Sequence, residues 1–546
     1  MKSPALLLAA SLSFLSALAH AQSDTSNVPV IDLGYAKYAG YTNSTAKINY
    51  YRGLHYAQPP TGALRWQRPV PIEYSSNYTG QTIQATEIAP TCIQGYPQWS
   101  YAEGITLVED QSEDCLILDV LVPSSPKNVT GGLPVMIQIH GGGYTLGSAQ
   151  SYPGDAMVAA SNGGLIYVSI QYRLGLFGFL AGSDVAENGV QNAGLYDQRL
   201  AIEWVSRHIG AFGGNPNKLT IWGGSAGGGS VTYQMMAGGG LGTPPFRAAI
   251  AEYPWWQPLL NASTQELQYQ LALDAANCSD INCLRGLSEA ELTKVGQEDF
   301  NNSYPGPGDG YGTFWFGPVV DGEFLRDLPD VAFKKGDYYK VPLMVDREGY
   351  EGYVFSNASE TNQVEETIDA RNLFPSAGPG FFSRLYDLYP RSDYNSTLFQ
   401  RQSWYGDFII NCPTYQMATS AVDDSYNSSA VFKLIFDAGS QTHGATAAFL
   451  TSEYTNWPTA NNKTLAAQLT SYWISFAATM DPNPLRSSGA PYWPSYMSGG
   501  EGTLAEGESV GFEVLDITYG GISAAADPDA RIQCEFFLNK GYTLRN

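Results

Sequence analysis

Short apolar runs bounded by turn residues recur along the chain and predict buried strands. These runs lie at 134–139, 165–170, 218–222, 341–345 and 431–436. Apolar residues largely follow one another in them instead of alternating with polar ones, which is typical of strands covered on both faces of a sheet. Residues 28–60 are interpreted as further short strands that precede this series.

Two longer segments have the spacing of amphipathic helices. Apolar residues recur every three to four positions across 192–209 and across 464–480, and the second segment ends before Pro482. Strands that alternate with helices predict an α/β fold with a large, mostly parallel sheet and helices on both faces. In such sheets the chemistry lies beyond the carboxyl ends of the strands.

The first 21 residues have the features of a secretory signal peptide. Lys2 gives a positive start, residues 5–19 are mostly apolar, and an A-x-A signal precedes Gln22. No later apolar run has the length of a membrane span. We therefore expect residues 22–546 to form a secreted, soluble, extracellular protein, and the absence of repeats and linkers favours a single domain.

The charge of the chain limits its partners. The net charge of −23 becomes −24 when Lys2 is lost with the signal peptide. An acidic protein of this kind is not expected to bind nucleic acid or an anionic membrane. The sequence does not distinguish a monomer from a dimer.

The six cysteines indicate up to three disulfides in a secreted chain. Cys278 and Cys283 are close enough to close a small loop, and Cys92 and Cys115 bracket a medium loop, which leaves Cys412 and Cys534. No C-x-x-C or H-x-x-x-H spacing supports a metal site. A glycoprotein is predicted from N-x-S/T sequons at Asn43, Asn77, Asn128, Asn261, Asn301, Asn357, Asn395, Asn427 and Asn462. A further sequon at Asn277 contains Cys278.

Candidate chemistry begins with a G-x-S-x-G pattern at 223–227, directly after the strand predicted at 218–222. A tight turn from strand to helix exposes the serine of this pattern, so Ser225 is the candidate nucleophile. A second match at 507–511 has no strand before it, and the residues after it have an extended pattern. Ser509 is therefore interpreted as a loop serine.

A serine nucleophile needs a base within hydrogen-bonding distance. Among the five histidines, only His443 follows Ser225, and it lies in a polar loop after the strand predicted at 431–436. The acid is expected between these two residues, just past a strand. The segment after 341–345 offers Glu348 and Glu351, which the residues alone do not separate, and Asp437 is a weaker candidate.

Three glycines after the strand at 134–139 let backbone N–H groups approach a ligand. Together with the N–H of Ala226, they are expected to stabilise the negative charge on a carbonyl oxygen under attack. Residues 92–115 form an aromatic loop with Trp99, which either covers the surface or overhangs a site.

These motifs occur in an order that resembles the type-B carboxylesterase/lipase family, which includes the cholinesterases and the large secreted fungal lipases. The resemblance runs from about 29 to 537. It is carried by the segments 51–60, 112–116, 140–143, 168–174, 192–198, 212–216, 223–227, 318–322 and 493–494.

The resemblance implies an α/β-hydrolase fold and a Ser-Glu-His triad. The family's acid stands in an E-G-x-x-F pattern, which Glu351 fits and Glu348 does not, so the implied triad is Ser225, Glu351 and His443. The implied oxyanion donors are Gly142, Gly143 and Ala226. The family's usual disulfides are Cys92–Cys115, Cys278–Cys283 and Cys412–Cys534 in this numbering.

Two segments depart from the family pattern. The residue before the nucleophile is usually Glu and here is Gly224, and an aromatic stretch at 252–256 replaces the usual Ser-Gly. These aromatics, with those at 314–316, either narrow the acyl side of the pocket or pack in the core.

The sequence thus predicts a secreted serine carboxylesterase that needs no cofactor or metal and acts on a small-molecule ester. A lipase or an aryl (feruloyl-type) esterase is the alternative, and a non-catalytic binding homologue is a rival of another class.

Overall fold

The fold is described from a computed structural model over residues 28–103, 110–423, 430–454, 456, 461–497 and 511–546, without the side chains of 101–103 and 423. The predicted signal peptide, Asn427 and Ser509 lie outside these residues. The strands are β1 Val30–Asp32, β2 Lys37–Ala39, β3 Tyr41–Asn43, β4 Ile48–His55, β5 Thr82–Gln84, β6 Ile117–Pro123, β7 Leu133–Ile139, β8 Ile166–Ile170, β9 Gly214–Gly224, β10 Ala248–Glu252, β11 Leu343–Glu348, β12 Val431–Asp437, β13 Glu513–Thr518 and β14 Gly521–Ala526.

The helices lie mainly between these strands. They are α1 Asp155–Ala160, α2 Gly175–Phe179, α3 Ser183–Asn188, α4 Ala193–His208, α5 Ala226–Met236, α6 Ala262–Ala276, α7 Ile281–Gly286, α8 Glu289–Ser303, α9 Pro329–Lys335, α10 Gln363–Leu373, α11 Pro379–Leu388, α12 Thr397–Gly406, α13 Cys412–Asp423, α14 Ala447–Leu450, α15 Lys463–Thr479, α16 Ile532–Leu538 and α17 Gly541–Leu544. A π-helical turn, Asp407–Asn411, joins α12 to α13.

Eleven of the described strands form one sheet in the order β14-β13-β12-β11-β10-β9-β7-β8-β6-β4-β3. Neighbouring strands from β8 to β13 pair in parallel, whereas the strands at both edges pair antiparallel. The predicted mostly parallel sheet is therefore confirmed. A separate small sheet contains β1, β2 and β5.

Successive residues of the central strands enter different hydrophobic cores. On β7, Ile137 packs in the core that contains Trp204 of α4, whereas Met136 packs in the core that contains Trp473 of α15. Both faces are buried, which is why these strands contain runs of apolar residues. The sheet is a layer between two sets of helices.

One predicted boundary is wrong in a way that matters for the site. The strand predicted at 341–345 continues to Glu348, because β11 pairs with β12 from Leu343 opposite Val431 to Glu348 opposite Phe436. Asp346 and Glu348 are therefore strand residues that are buried in the protein, and not part of the following loop.

Candidate active site

Ser225 lies in the turn between β9 and α5 at the carboxyl edge of the sheet. Its backbone has φ 59° and ψ −127°, a strained conformation for a residue with a side chain. A Cβ on Gly227 would overlap the carbonyl oxygen of Ile139, and one on Gly223 would lie 2.5 Å from the carbonyl carbon of Gly227. The flanking glycines therefore permit the turn, which is the strand–turn–helix expected from the sequence.

His443 and Glu351 are in direct contact. His443 lies in the loop after β12, and its Nδ1–H donates to Oε2 of Glu351 at 2.7 Å. Glu351 lies in the turn after β11 and is 1% exposed. Its other oxygen, Oε1, accepts the backbone N–H of Glu348 at 2.7 Å. The carboxylate is thus fixed between the strand end and the imidazole.

The other two candidate acids do not contact the imidazole. Oε1 of Glu348 instead accepts from the backbone N–H and the hydroxyl of Thr446, at 2.9 and 2.8 Å. Asp437 lies against Gly349. The structure therefore separates the acids that the residues alone left open, and Glu351 is the one that lies at His443.

Ser225 and His443 both lie beside Trp255, and no hydrogen bond joins the two among the described residues. Trp255 donates its backbone N–H to the carbonyl oxygen of Ser225 at 3.0 Å, and its ring centroid is 6.2 Å from that of His443. Nε2 of His443 is buried and has no hydrogen-bond partner among the described residues. The structure thus joins Glu351 to His443 and leaves Nε2 available to a third group.

The three glycines after β7 lie against the nucleophile. A Cβ on Gly141 would lie 3.0 Å from Cβ of Ser225. Gly142 and Gly143 have φ of 111° and 63°. The backbone N–H groups of these two residues and of Ala226 donate to no residue in the described part of the chain. This arrangement leaves unpaired donors beside Ser225, as an oxyanion site requires.

Aromatic side chains surround the imidazole and the glycines. Rings of Tyr253 and Phe355 meet His443 edge-on, with centroids 5.0 and 4.9 Å away. Phe314 occupies the space in which a Cβ on Gly143 would lie. Trp99 packs on Phe314 at 5.3 Å, so the aromatic loop overhangs this region through Trp99.

The aromatic side chains of 252–256 and 314–316 do not all lie at the site. Some border the site and others pack in the core. Trp255 and Phe314 pack on each other at 5.7 Å, near His443 and Gly143. Trp256 instead donates to the hydroxyl of Thr232, and Trp315 donates to Asp299. Two neighbouring tryptophans therefore have different roles, one at the site and one in the packing beneath it.

A group of buried carboxyls lies behind the Glu351–His443 pair. Burial raises the pKa of Glu252 to about 8. Burial, with the neighbouring carboxyls Glu252 and Glu348, raises the pKa of Asp346 well above its ordinary value. Burial and the nearby Glu351 do the same to the pKa of Glu348. Burial among neighbouring carboxyls therefore favours the neutral form of all three groups.

Comparison with known proteins decides the family. A family model described as the carboxylesterase family matches residues 27–510. The chain belongs to this carboxylesterase family. Relatives named carboxylesterase and lipase match this chain, and this protein is a carboxylic ester hydrolase.

Among the relatives of this carboxylesterase, carboxylesterase patB of Penicillium expansum is 32% identical over 388 residues, which cover 62% of this chain and 67% of the relative. Secreted lipase 1 of Botryotinia fuckeliana is 30% identical over 509 residues, which cover 84% and 85%. The crystal structure of Aspergillus niger EstA has a TM-score of 0.81 at 28% identity and covers 95% of this chain and 99% of that one. The esterase is thus an α/β-hydrolase along nearly its whole length.

The remaining described histidines of the esterase have structural contacts. Nδ1–H of His140 donates to the carbonyl oxygen of Gly141, and burial lowers the pKa of this imidazole to about 4. His55 lies 2.9 Å from Asp114, and His208 lies 2.8 Å from Glu73. These contacts agree with the elimination that selected His443.

The three predicted disulfides of the esterase are present, as Cys92–Cys115, Cys278–Cys283 and Cys412–Cys534. The described residues contain no group of acids, histidines or cysteines arranged to hold a metal ion. They also contain no helix with the length and apolarity of a membrane span.

Sequon asparagines differ in exposure. Asn77, Asn128, Asn301, Asn395 and Asn462 are exposed, and Asn43, Asn261 and Asn357 are half-buried. The side chain of Asn261 caps α6 by accepting from the N–H of Thr264. Glycosylation at these positions stays a prediction.

Sequence reasoning missed one residue beside the site and left the role of another open. Thr446 binds Glu348, and Tyr253 fills the space beside Gly224, where its hydroxyl would overlap a Cβ. The residue pair Gly224 and Tyr253 carried a signal, because both depart from the family pattern. Thr446 stands in no motif, so no signal in the sequence pointed to it.

Proposed function

We propose that this protein is a secreted serine carboxylesterase in which Ser225, His443 and Glu351 form the catalytic triad. The observation that carries the proposal is the 2.7 Å contact between His443 and Glu351 at the sheet edge where the strained Ser225 turn also lies. After removal of residues 1–21, residues 22–546 act as one domain.

Acylation begins when Nε2 of His443 takes the proton of the Ser225 hydroxyl as the serine oxygen attacks the ester carbonyl. Nε2 has no hydrogen-bond partner in the part of the chain that the structure describes, which supports this role. Because no hydrogen bond joins the two described side chains in the free enzyme, we expect it to form when substrate binds, as is common for catalytic contacts. Glu351 stabilises the imidazolium that results.

The tetrahedral intermediate carries a negative oxygen. The N–H groups of Gly142, Gly143 and Ala226 donate to it, and each such donor is typically worth about 3–4 kcal/mol in the transition state. His443 then gives its proton to the leaving alcohol. In deacylation, His443 takes a proton from water as the water oxygen attacks the acyl carbonyl carbon. The second tetrahedral intermediate then collapses, the bond to the Ser225 oxygen breaks, His443 returns its proton to that oxygen, and the carboxylic acid leaves.

No step needs a cofactor or a metal, since every proton passes through His443. The substrate is a small uncharged ester.

The aromatic side chains support a preference for short acyl groups. Phe314 lies directly against Gly143, and Trp255 and Phe355 pack on each other with ring centroids 4.4 Å apart. A long acyl chain would have to displace these rings. A lipase is the alternative that the name of the Botryotinia fuckeliana relative favours, and an aryl esterase is a further one.

Secretion is supported by the signal sequence, by three disulfides and by the relative named a secreted lipase. N-terminal sequencing of protein from the culture medium tests it, and the expected first residue is Gln22.

The nucleophile is tested by Ser225→Ala, with Ser509→Ala as the matched control from the second G-x-S-x-G pattern. We expect Ser225→Ala to abolish hydrolysis of p-nitrophenyl acetate and labelling by a fluorophosphonate probe, while Ser509→Ala retains both. Hydrolysis near the wild-type rate in Ser225→Ala would exclude the assignment. A wild-type protein that resists the probe and hydrolyses no ester would instead support the binding homologue.

Acyl preference is tested by Phe314→Ala on p-nitrophenyl esters of increasing chain length. We expect the ratio of kcat/KM for octanoate to that for acetate to rise by at least about tenfold, since methylenes admitted to an apolar pocket have effects of this size. The control is Phe316→Ala, because Phe316 packs on Phe300. An unchanged ratio in Phe314→Ala, or a wild type that prefers octanoate, would contradict a narrow acyl pocket.

A further inference from the structure

Glu348 connects the two loops of the candidate site that carry the acid and the histidine. It is the last residue of β11, and its side chain is completely buried. Its Oε1 accepts two hydrogen bonds from Thr446, which lies three residues after His443 and precedes α14. The end of β11 is thus bonded to the base of the histidine loop.

The same residue also fixes the acid. The backbone N–H of Glu348 donates to Oε1 of Glu351 at 2.7 Å, and Oε2 of Glu351 accepts from His443. One residue therefore contacts Glu351 through its main chain and the loop of His443 through its side chain. A shift of Glu348 would change the position of the carboxylate and of the imidazole together.

Several groups face the Glu348 carboxyl from the surrounding elements. Glu252 on β10 and Asp346 on β11 interact electrostatically with the Glu348 carboxyl. Glu351 and His443 lie on the two loops and pair with each other. The indoles of Trp222 on β9 and Trp473 on α15 lie at Glu252. Arg347, also on β11, bonds to Asp529 instead.

Charge neutrality follows from this environment. Among the described residues, no lysine or arginine forms an ion pair with Glu252, Asp346, Glu348 or Glu351. Four neighbouring buried carboxylates without a cation cannot all be ionised, because each charge repels the others and loses its hydration. Glu351 has the imidazole as its partner, so Glu348 keeps its proton, in agreement with its raised pKa.

We propose that Glu348 is a positioning residue of the esterase, which holds Glu351 and the His443 loop in their reactive arrangement as a neutral carboxylic acid. The proposal rests on the function proposed above. Glu348 does not touch the reacting atoms, and it acts through Glu351 and Thr446. With Glu348 neutral, Glu351 is the one carboxylate among the described residues that contacts the imidazole.

The test compares Glu348→Gln with Glu348→Ala. Glutamine is neutral, has the same shape and keeps an oxygen that accepts from Thr446, whereas alanine removes the connection. The turnover number is expressed per active site labelled by a fluorophosphonate probe, so that misfolded protein does not enter the value. For Glu348→Gln we expect kcat on p-nitrophenyl acetate to stay within about threefold of wild type.

For Glu348→Ala we expect kcat per labelled site to fall by about tenfold or more with KM within about twofold, since small misplacements of catalytic groups lower the rate by such factors. Glu366→Ala is the control: Glu366 on α10 is equally buried and accepts from the Trp404 indole at 2.7 Å. This variant is expected to lose stability without losing kcat per labelled site.

Thr446→Val removes the hydrogen bond from the Thr446 hydroxyl to Glu348 and keeps the one from the backbone N–H. We expect it to lower kcat per labelled site by a few-fold, and it keeps the proposal testable if Glu348→Ala does not fold. Wild-type kcat in Glu348→Ala, or a loss in Glu348→Gln as large as in Glu348→Ala, would overturn the proposal. A failure of the proposed function is recognised separately, because Ser225→Ala would then remain active.

Discussion

The two faces of strand β11 carry opposite arrangements of buried charge. On one face, Arg347 donates to both oxygens of Asp529 at 2.7 and 2.9 Å, and Lys433 of β12 lies 2.8 Å from Asp527 and 2.7 Å from Asp529. Two cations thus meet two anions. All four side chains are buried.

The other face of β11 carries acids without such cations. Asp346 and Glu348 lie there with Glu252 and Glu351, and His443 is the one described basic residue in contact with this group. Charge pairing on the first face joins β11 and β12 to Asp527 and Asp529. Burial on the second face raises the pKa of its acids and so favours their protonated forms. Neighbouring residues of one strand therefore belong to a structural region and to a candidate catalytic one.

The difference has a consequence for pH. Although burial opposes it, Arg347 and Lys433 keep the pKa of Asp529 well below its ordinary value. Its contribution to stability is therefore present at neutral pH and is lost as the pH falls through the acid range. Glu252 behaves in the opposite way: the folded protein holds a proton that the unfolded chain releases above about 4.5, so its contribution becomes unfavourable as the pH rises toward about 8.

The largest expected effect is on the acid face, where Glu351→Gln removes the one carboxylate that contacts His443 among the described residues. We expect kcat on p-nitrophenyl acetate to fall by about 10³-fold or more, because the imidazolium loses its stabilising charge and its tautomer is no longer fixed. Circular dichroism should remain that of the wild type. Glu348→Gln is the control, and the reverse result would identify Glu348 as the acid.

The next effect concerns the paired face. Lys433→Met leaves Asp527 and Asp529 with one cation fewer, and breaking a buried pair in this way costs about 3–5 kcal/mol of the free energy of unfolding. Urea titration measures the loss. Lys37→Met is the matched control, because the Lys37–Asp32 pair is 54% and 59% exposed and its removal should cost less than about 1 kcal/mol. Equal losses of unfolding free energy in both variants would mean that the buried ion pairs stabilise the protein no more than an exposed pair does.

The smallest expected effect is a change in the pH dependence of stability, which has opposite signs for the two faces of β11. Glu252→Gln removes a buried group that is neutral in the folded protein and ionised in the unfolded chain at pH 8. Between pH 5 and pH 8 the free energy of unfolding of the wild type should therefore fall relative to that of the variant, by on the order of 2 kcal/mol. Exposed Glu298→Gln serves as the control. Parallel pH curves for wild type and Glu252→Gln would show that Glu252 is ionised in the folded protein.

The local sequence pattern was sufficient to predict those parts of the candidate site that depend on residues adjacent in sequence. The strand before Ser225 and the glycines around it are contiguous in sequence, so the turn was predictable from 218–227. His443 was identified because few histidines exist and only one follows a strand after the serine. These inferences needed no knowledge of distant contacts.

Contacts between segments far apart in sequence determine the features that the local sequence pattern does not predict. The end of β11 at Glu348 depends on its alignment with Phe436 of β12, and a run that contains Asp346, Arg347 and Glu348 does not look like a buried strand. Strand β6 was not predicted because it contains a charged residue, Asp119. Its partner is Arg52 of β4, which is far away in sequence. Whether Trp255 or Trp256 borders the site also depends on residues far away in the chain.

The bridge between Cys412 and Cys534 joins residues that are 122 positions apart in sequence. His443 and Thr446 lie within that span, whereas Ser225 and Glu351 lie outside it. In a reducing compartment none of the three disulfides would form, and the segment that carries His443 would lack this covalent tether. Recombinant production for the experiments above should accordingly use a secretory or periplasmic route, where the tether can form.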